Sequence, residues 1–291
     1  PYTTLFRSAV IFILFTVLTC LNIKEKSTVD MDSPSIGQMF RSLLQNDQAM
    51  TIVVAIVLIN CAVYITSNLV IYFFKYDFGG TGWYKAYTLF NMFGGAIQIL
   101  AMMILFPLLR RFMDTLKIFY VCLAGAVIGY VILLGIAFTN MSNVFILFIP
   151  AFFIFAANGI LTVLTTIFLA NSVDYGEGKN HRRDDSVIFS MQTFVVKLAS
   201  GIAALVASGC LAVFSLSSEA TTEADQVIDF SAGVSAASKT GLRMTMTIIP
   251  IIGLIIGLLW FRKKFTLTEE RMEQITAQLQ QEHGLADTGA E

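Results

Sequence analysis

Six stretches of this sequence run for at least about 18 residues with almost no charge, at 48–74, 83–109, 116–138, 143–170, 186–216 and 242–261. An α-helix rises 1.5 Å per residue, so about 20 apolar residues cross a hydrocarbon core roughly 30 Å thick. Lipid offers the backbone no hydrogen bonds, and a chain with six such runs is therefore confined to an all-α integral membrane fold. The composition agrees, with 56% hydrophobic and 13% charged residues. Soluble proteins average about 25% charged, and 19 Lys+Arg with 20 Asp+Glu cannot cover a water-soluble body of 291 residues. The apolar excess faces membrane lipid. A net charge of −1 without a basic cluster argues against nucleic acid as a partner. Cys20, Cys61, Cys122 and Cys210 all lie in apolar runs without metal-ligand spacing, which suits packing and points to no metal site or cofactor.

The expected organisation has five parts. Residues 1–8, PYTTLFRS, match the translation of a sequencing adapter and are expected to be an assembly scar. Residues 9–21 are expected to be a truncated transmembrane helix, 22–47 a cytoplasmic middle loop, 48–261 a six-helix transmembrane domain and 262–291 a cytoplasmic tail. Basic residues set the orientation. One set of alternate connections carries thirteen of them, including Arg41, Arg110, Arg111, Lys179, Arg262 and Lys263, whereas the opposite set carries Lys75, Lys85, Lys239 and Arg243. The first set, with the C-terminus, is expected on the cytoplasmic side of the plasma membrane. Two amphipathic pieces are expected there. In one, Ile36, Met39, Phe40, Leu43 and Leu44 recur at helical spacing. In the other, Thr266 and Glu269 have capping-box spacing, Met272, Ile275 and Leu279 form a stripe, and Gly284 supplies a stop before a disordered end.

Because a spanning backbone satisfies itself, polar side chains inside the spans carry the information. Asn60, Tyr64, Asn68 and Tyr72 repeat every fourth residue in the first span. Asn91, Gly94, Gly95 and Gln98 share a face of the second; Asn158, Thr162, Thr165 and Thr166 one of the fourth; Gln192, Thr193, Lys197 and Ser200 one of the fifth. The third and sixth spans instead carry GxxxG spacings, Gly125 to Gly129 and Gly253 to Gly257, which suit helix packing. Packing alone explains any single polar stripe. Four stripes in six spans fit four helices around a shared wet cavity, with the other two outside.

Lys197 lies eleven residues past Ser186, about 16 Å along its helix and near mid-depth in the membrane. A lysine there costs at least about 2.5 kcal/mol on insertion scales. It needs water, a substrate group, or a carboxylate, and the six spans hold acidic residues only at their ends.

The segment SVDYGEGKNHRRDDSVIFSMQTFVVKLASGIAALV resembles the loop and penultimate helix of the glycoside-pentoside-hexuronide:cation symporters, the melibiose-carrier-like branch of the major facilitator superfamily. Asp174, Tyr175, Gly176 and Glu177 resemble the family's cytoplasmic loop motif, and Gln192, Thr193, Val195, Val196 and Lys197 its following helix. YFFKYDFGG, PLLRRF and the amphipathic middle loop add to the likeness, while Asn171, Gly178 and Thr162 depart from it. The resemblance implies a twelve-helix carrier of which this chain is the six-helix C-terminal bundle plus the truncated end of helix six. It also implies a missing N-terminal half holding the acidic residues for the coupling cation and the sugar.

The expected function is therefore cation-coupled symport, by sodium or a proton, of a sugar, glycoside or uronide through alternating access. Lys197, Gln192, Thr193, Ser200, Asn158, Thr162, Thr165, Asn60, Tyr64, Asn68, Asn91 and Gln98 are the cavity candidates. Asp174, Tyr175, Glu177, Arg182, Arg183, Asp184 and Asp185 would form a cytoplasmic gate, or else a solvated loop whose charges set topology. A carrier of a non-sugar solute, a scaffold and a membrane-embedded enzyme are the alternatives. The enzyme lacks an interior carboxylate or HExxH, and His181 and His283 both lie outside the spans.

Overall fold

A computed structural model describes residues 2–22, 44–139, 141, 143–180, 185–218, 221–222 and 224–288. Every regular element among them is helical. Two compact units are present, residues 1–35 and 36–291. The first contains one helix, α1 (Tyr2–Asn22), which runs unbroken through most of the adapter-like residues and the short apolar stretch beyond them.

The second unit holds six helices long and apolar enough to cross a membrane. They are α2 (Asp47–Phe73), α3 (Trp83–Leu100), α4 (Thr115–Thr139), α5 (Val144–Asn180), α6 (Asp185–Val213) and α7 (Ala236–Lys264), followed by an amphipathic α8 (Glu269–Thr288). A π-helical turn, Phe74–Phe78, extends α2, and a second, Ala101–Leu105, leads α3 into the short piece Phe106–Arg110. The multi-pass membrane architecture expected from the apolar runs is present.

Small residues decide where the helices cross. α2 packs on α6 and α7, α3 on α5, and α4 on α5 and α7. A Cβ on Gly159 of α5 would lie 2.5 Å from the Gln98 carbonyl oxygen of α3, and one on Gly129 of α4 would lie 3.1 Å from that of Pro150. Those glycines set backbone-to-backbone contacts that larger residues would force apart. Gly253 and Gly257 of α7 face Leu58 of α2, whereas Gly125 faces open space, so only three of the four GxxxG glycines pack. Gly94, expected on a polar face, instead seats the Phe155 ring, whose edge a Cβ would meet at 2.5 Å.

Aromatic rings close the end that carries the basic residues. Phe119, Phe168, Phe261 and Phe265 join α4, α5 and the end of α7, with ring centroids 4.3 Å apart for Phe119–Phe261 and 4.4 Å for Phe261–Phe265. Buried rings at such spacings gain more than their area alone. At the other end, the segment between α6 and α7 is tied down. The Trp83 indole donates to the carbonyls of Asp225 (3.3 Å) and Ile228 (3.1 Å), and the Tyr76 hydroxyl to Ser217 (2.9 Å). Gly79, at φ +69°, lets Ser231 approach so closely that a Cβ would meet its hydroxyl oxygen.

Three expectations need correction. The DYGE segment is helical, because α5 continues past the apolar run to Asn180. Gly176 allows this, since the Asn46 amide sits against it and donates to the Ser172 carbonyl at 2.7 Å. The cap of α8 is Thr268, whose hydroxyl accepts from the Arg271 N–H, and not Thr266. Glu269 is then free to turn towards α4. Gly284 does not stop α8, which runs on to Thr288. Of the first amphipathic piece, Ile36, Met39, Phe40 and Leu43 lie outside the described residues, and Leu44 is exposed.

Candidate substrate-binding face

The face begins with α6. Val195, Ala199 and Ala203 are buried on its packed side, where the Cys61 thiol of α2 meets the Ala199 carbonyl at 3.7 Å. Thr193, Lys197 and Ser200 lie on the exposed side. Gln192, between these two sides, reaches α5, its amide donating to the Thr166 hydroxyl at 3.3 Å. This bond joins two of the four polar stripes. Among the described residues Lys197 forms no ion pair, and its ammonium lies open at mid-helix.

Asn91 of α3 and Asn158 of α5 come together at a cavity between α2, α3, α4, α5 and α7. Thr66, Ser67 and Tyr130 also line it, and its walls are aromatic, including Phe73, Phe90 and Phe155. The Asn91 amide donates to the Tyr87 carbonyl at 3.0 Å, which leaves its own oxygen as an acceptor at the rim. At about 30 Å³ the space suits a water or two rather than a sugar ring.

The sequence pattern missed Thr66 and Tyr130, and the signal that could have found them is a proline. Pro250 inside α7 has no N–H for the carbonyl four residues back, that of Met246. The Thr66 hydroxyl lies 3.1 Å from that carbonyl and 3.0 Å from the Tyr130 hydroxyl. Thr66 of α2 stands where it can supply the donor that the proline removed, with the Tyr130 hydroxyl of α4 beside it.

Other candidates lie apart or face inwards. Asn60 donates to Ile56, Thr162 to Asn158 and Thr193 to Phe189, each to the carbonyl four residues back. Thr165 is buried and bonds the carbonyls of Leu161 and Thr162. Tyr64 and Gln98 are half-buried and Asn68 is exposed.

Of the gate candidates, Asp174, Tyr175 and Glu177 sit on the polar extension of α5 and Asp185 opens α6. Arg182, Arg183 and Asp184 lie outside the described residues. Tyr175 donates to the Asp47 carboxylate at 3.1 Å, and Lys179 pairs with it at 2.7 Å, so α5 is fastened to the start of α2. Gln48 accepts from the Thr266 N–H at 2.9 Å and fastens the link into α8. Glu269 accepts from the backbone N–H of Thr115 at 2.8 Å, from the Thr115 hydroxyl, and from Arg110 at 2.5 Å. Partial burial pushes its carboxyl pKa up, but the Thr115 bonds and the Arg110 charge outweigh this and hold it below the ordinary value.

A third ion pair, more buried than the other two, lies at the opposite end. Arg243 of α7 grips Asp77 in the π-turn of α2 with two bonds of 2.7 Å, Nε to Oδ2 and Nη2 to Oδ1. The Asp77 side chain is 0% exposed and that of Arg243 16%.

The family model described as "MFS/sugar transport protein" matches residues 2–269. Among individual proteins, the chain is 24% identical to a lactose permease of Lactobacillus delbrueckii subsp. bulgaricus over 253 residues, covering 87% of this chain and 38% of that protein. It is 26% identical to a raffinose carrier protein of Pediococcus pentosaceus, covering 86% and 36%. With a putative glycoside/cation symporter of Escherichia coli it shares 23% identity, covering 88% and 52%. The chain thus spans between about a third and half of the length of these relatives. All are named as carriers, permeases or symporters rather than enzymes. With the match running through all six spans, the chain belongs to the MFS/sugar transport protein family.

Proposed function

We propose that the protein is the C-terminal half of a sugar or glycoside symporter, coupled to sodium or a proton and working by alternating access. The observation that carries this reading is the exposed polar side of α6, where Lys197 stands at mid-span between Thr193 and Ser200 without a counter-charge among the described residues. A mid-membrane cation so placed requires a wet cavity and an anionic or polar partner from outside this bundle. The resemblance supplies one, because the carboxylates for cation and sugar are expected in the N-terminal half. The names of the lactose, raffinose and glycoside carriers favour a neutral saccharide, and a uronide would pair with Lys197 directly. Rocking of the two halves about the site would expose it to either side, with the inner ends of α5 and α6 closing the cytoplasmic gate. The excess of basic residues at one end supports a cytoplasmic C-terminus in the plasma membrane.

The test is uptake of labelled lactose and raffinose by the full-length protein in proteoliposomes, with and without a sodium or proton gradient. Lys197→Val leaves any carboxylate partner uncompensated and should lower gradient-driven uptake at least about tenfold. Lys197→Arg should keep part of it. Leu198→Val is the packing control. Uptake by Lys197→Val equal to that of Leu198→Val would refute the role of the lysine, and gradient-driven uptake by the 291-residue chain alone would refute the half-carrier reading.

A further inference from the structure

An apolar groove follows one flank of the α3–α5 crossing. Ala101 and Ala156 are its buried floor, and Ile97, Ile104, Leu108 and Phe152 its walls. The walls stay open, with Ile104 60% and Leu108 50% exposed. From Ile97 to Leu108 the groove extends about 16 Å along the helix, roughly one leaflet of a 30 Å hydrocarbon core.

Two observations say what fills it. The first is its direction. Ala156 and Asn158 lie two residues apart on α5 and so project about 160° apart. The groove therefore faces away from the amide-lined cavity, and a partner half closing over the polar face would not cover it. The second is charge. Arg111 caps the short helix Phe106–Arg110 with helical backbone angles, three residues past Leu108 at the end of the groove lining, and is exposed, so a cation stands one turn beyond the groove's last wall residue. Its neighbours are occupied, Arg110 by Glu269 and Lys117 by Asp114, but Arg111 has no ion pair among the described residues.

We propose that this groove is a binding site for an anionic glycerophospholipid, one acyl chain lying over Ala101 and Ala156 and the phosphate on Arg111. Lipid tails are the solvent of this flank, so the chain enters without dehydrating polar groups. The guanidinium fork matches phosphate oxygens and selects a net negative headgroup over a zwitterionic one.

Native mass spectrometry of the purified full-length protein, offered equal phosphatidylglycerol and phosphatidylcholine, tests the site without any transport measurement. The wild type should retain phosphatidylglycerol about fivefold over phosphatidylcholine. Arg111→Gln should bring the ratio close to one, while Lys263→Gln, at another exposed basic position, should leave it unchanged. Ala156→Leu raises the floor and should reduce retention of both lipids. As a reading independent of that variant's folding, the fluorescence of Leu108→Trp should be quenched more by acyl-brominated phosphatidylglycerol than by its phosphatidylcholine counterpart. Equal retention by the wild type, preference surviving in Arg111→Gln, or equal quenching by the two lipids would overturn the proposal.

Discussion

Replacing Arg243 by Met removes the partner of a carboxylate that has no access to solvent. Both Asp77 oxygens are engaged at 2.7 Å, and the guanidinium also lies 5.1 Å from the centre of the Phe138 ring. Breaking a buried pair from one side costs about 3–5 kcal/mol, since the remaining charge keeps its desolvation penalty and loses its compensation. The lost cation–π contact adds roughly 0.5–2 kcal/mol. Asp77→Asn should cost less, because the amide is neutral and can still accept one bond. The double variant Asp77→Leu/Arg243→Met leaves no charge to desolvate and should lie well above Arg243→Met in stability. The assay is loss of helical circular dichroism on titrating SDS into mixed micelles, with Lys117→Met as control. Lys117 and Asp114 are 68% and 55% exposed, so that change should fall within error. If Arg243→Met stays within about 1 kcal/mol of the wild type, or if the double variant equals the sum of Arg243→Met and Asp77→Leu measured singly, the pair is hydrated and the reasoning fails.

The same titration should place Thr66→Val about 1 kcal/mol below the wild type, because the Met246 carbonyl loses its hydroxyl donor, and Thr66→Ser close to it; equal stability of the Val and Ser variants would refute the proline-linked role. Glu269 has a carboxyl pKa held below its ordinary 4.5, so its anchoring of α8 is fully present above that value and lost as the pH falls through the lower, folded one. Thiol labelling of Met272→Cys, buried on α8, should accelerate over that acid range, and a rate without pH dependence beyond thiol ionisation would count against the anchor. In a cysteine-free background, Ser218→Cys should be labelled by a membrane-impermeant reagent from outside intact cells and Lys264→Cys only after lysis; the reverse pattern would invert the proposed orientation.

Hydropathy was sufficient to locate six spans because burial in lipid is a property of each segment by itself. The ends were harder to place. α7 starts at Ala236, six residues before its apolar run, since Ser235 caps it and Arg243 is neutralised by Asp77. α5 outlasts its run by ten residues because Asn46, Asp47 and Gly176 support a polar extension. Asp77, Asn46 and Asp47 are far in sequence from the ends they support, and a window of local hydropathy cannot register a charge whose complement lies 166 residues away.

The polar stripes show the limit of periodicity most clearly. Asn60, Asn91, Thr162, Thr166 and Thr193 all bond the carbonyl one turn back on their own helix. A hydroxyl or amide satisfied in this way is stable in lipid, against a neighbouring helix or in water, so its place in a stripe does not reveal which it faces. Lys197 differs because no carbonyl on its own helix offers a counter-charge, and its ammonium must find water or an anion elsewhere. Pro250 differs for the complementary reason, since it creates a demand that its own helix cannot meet and that Thr66 of another helix answers. The residues that carry information about tertiary structure are thus those whose needs exceed what one helix can supply.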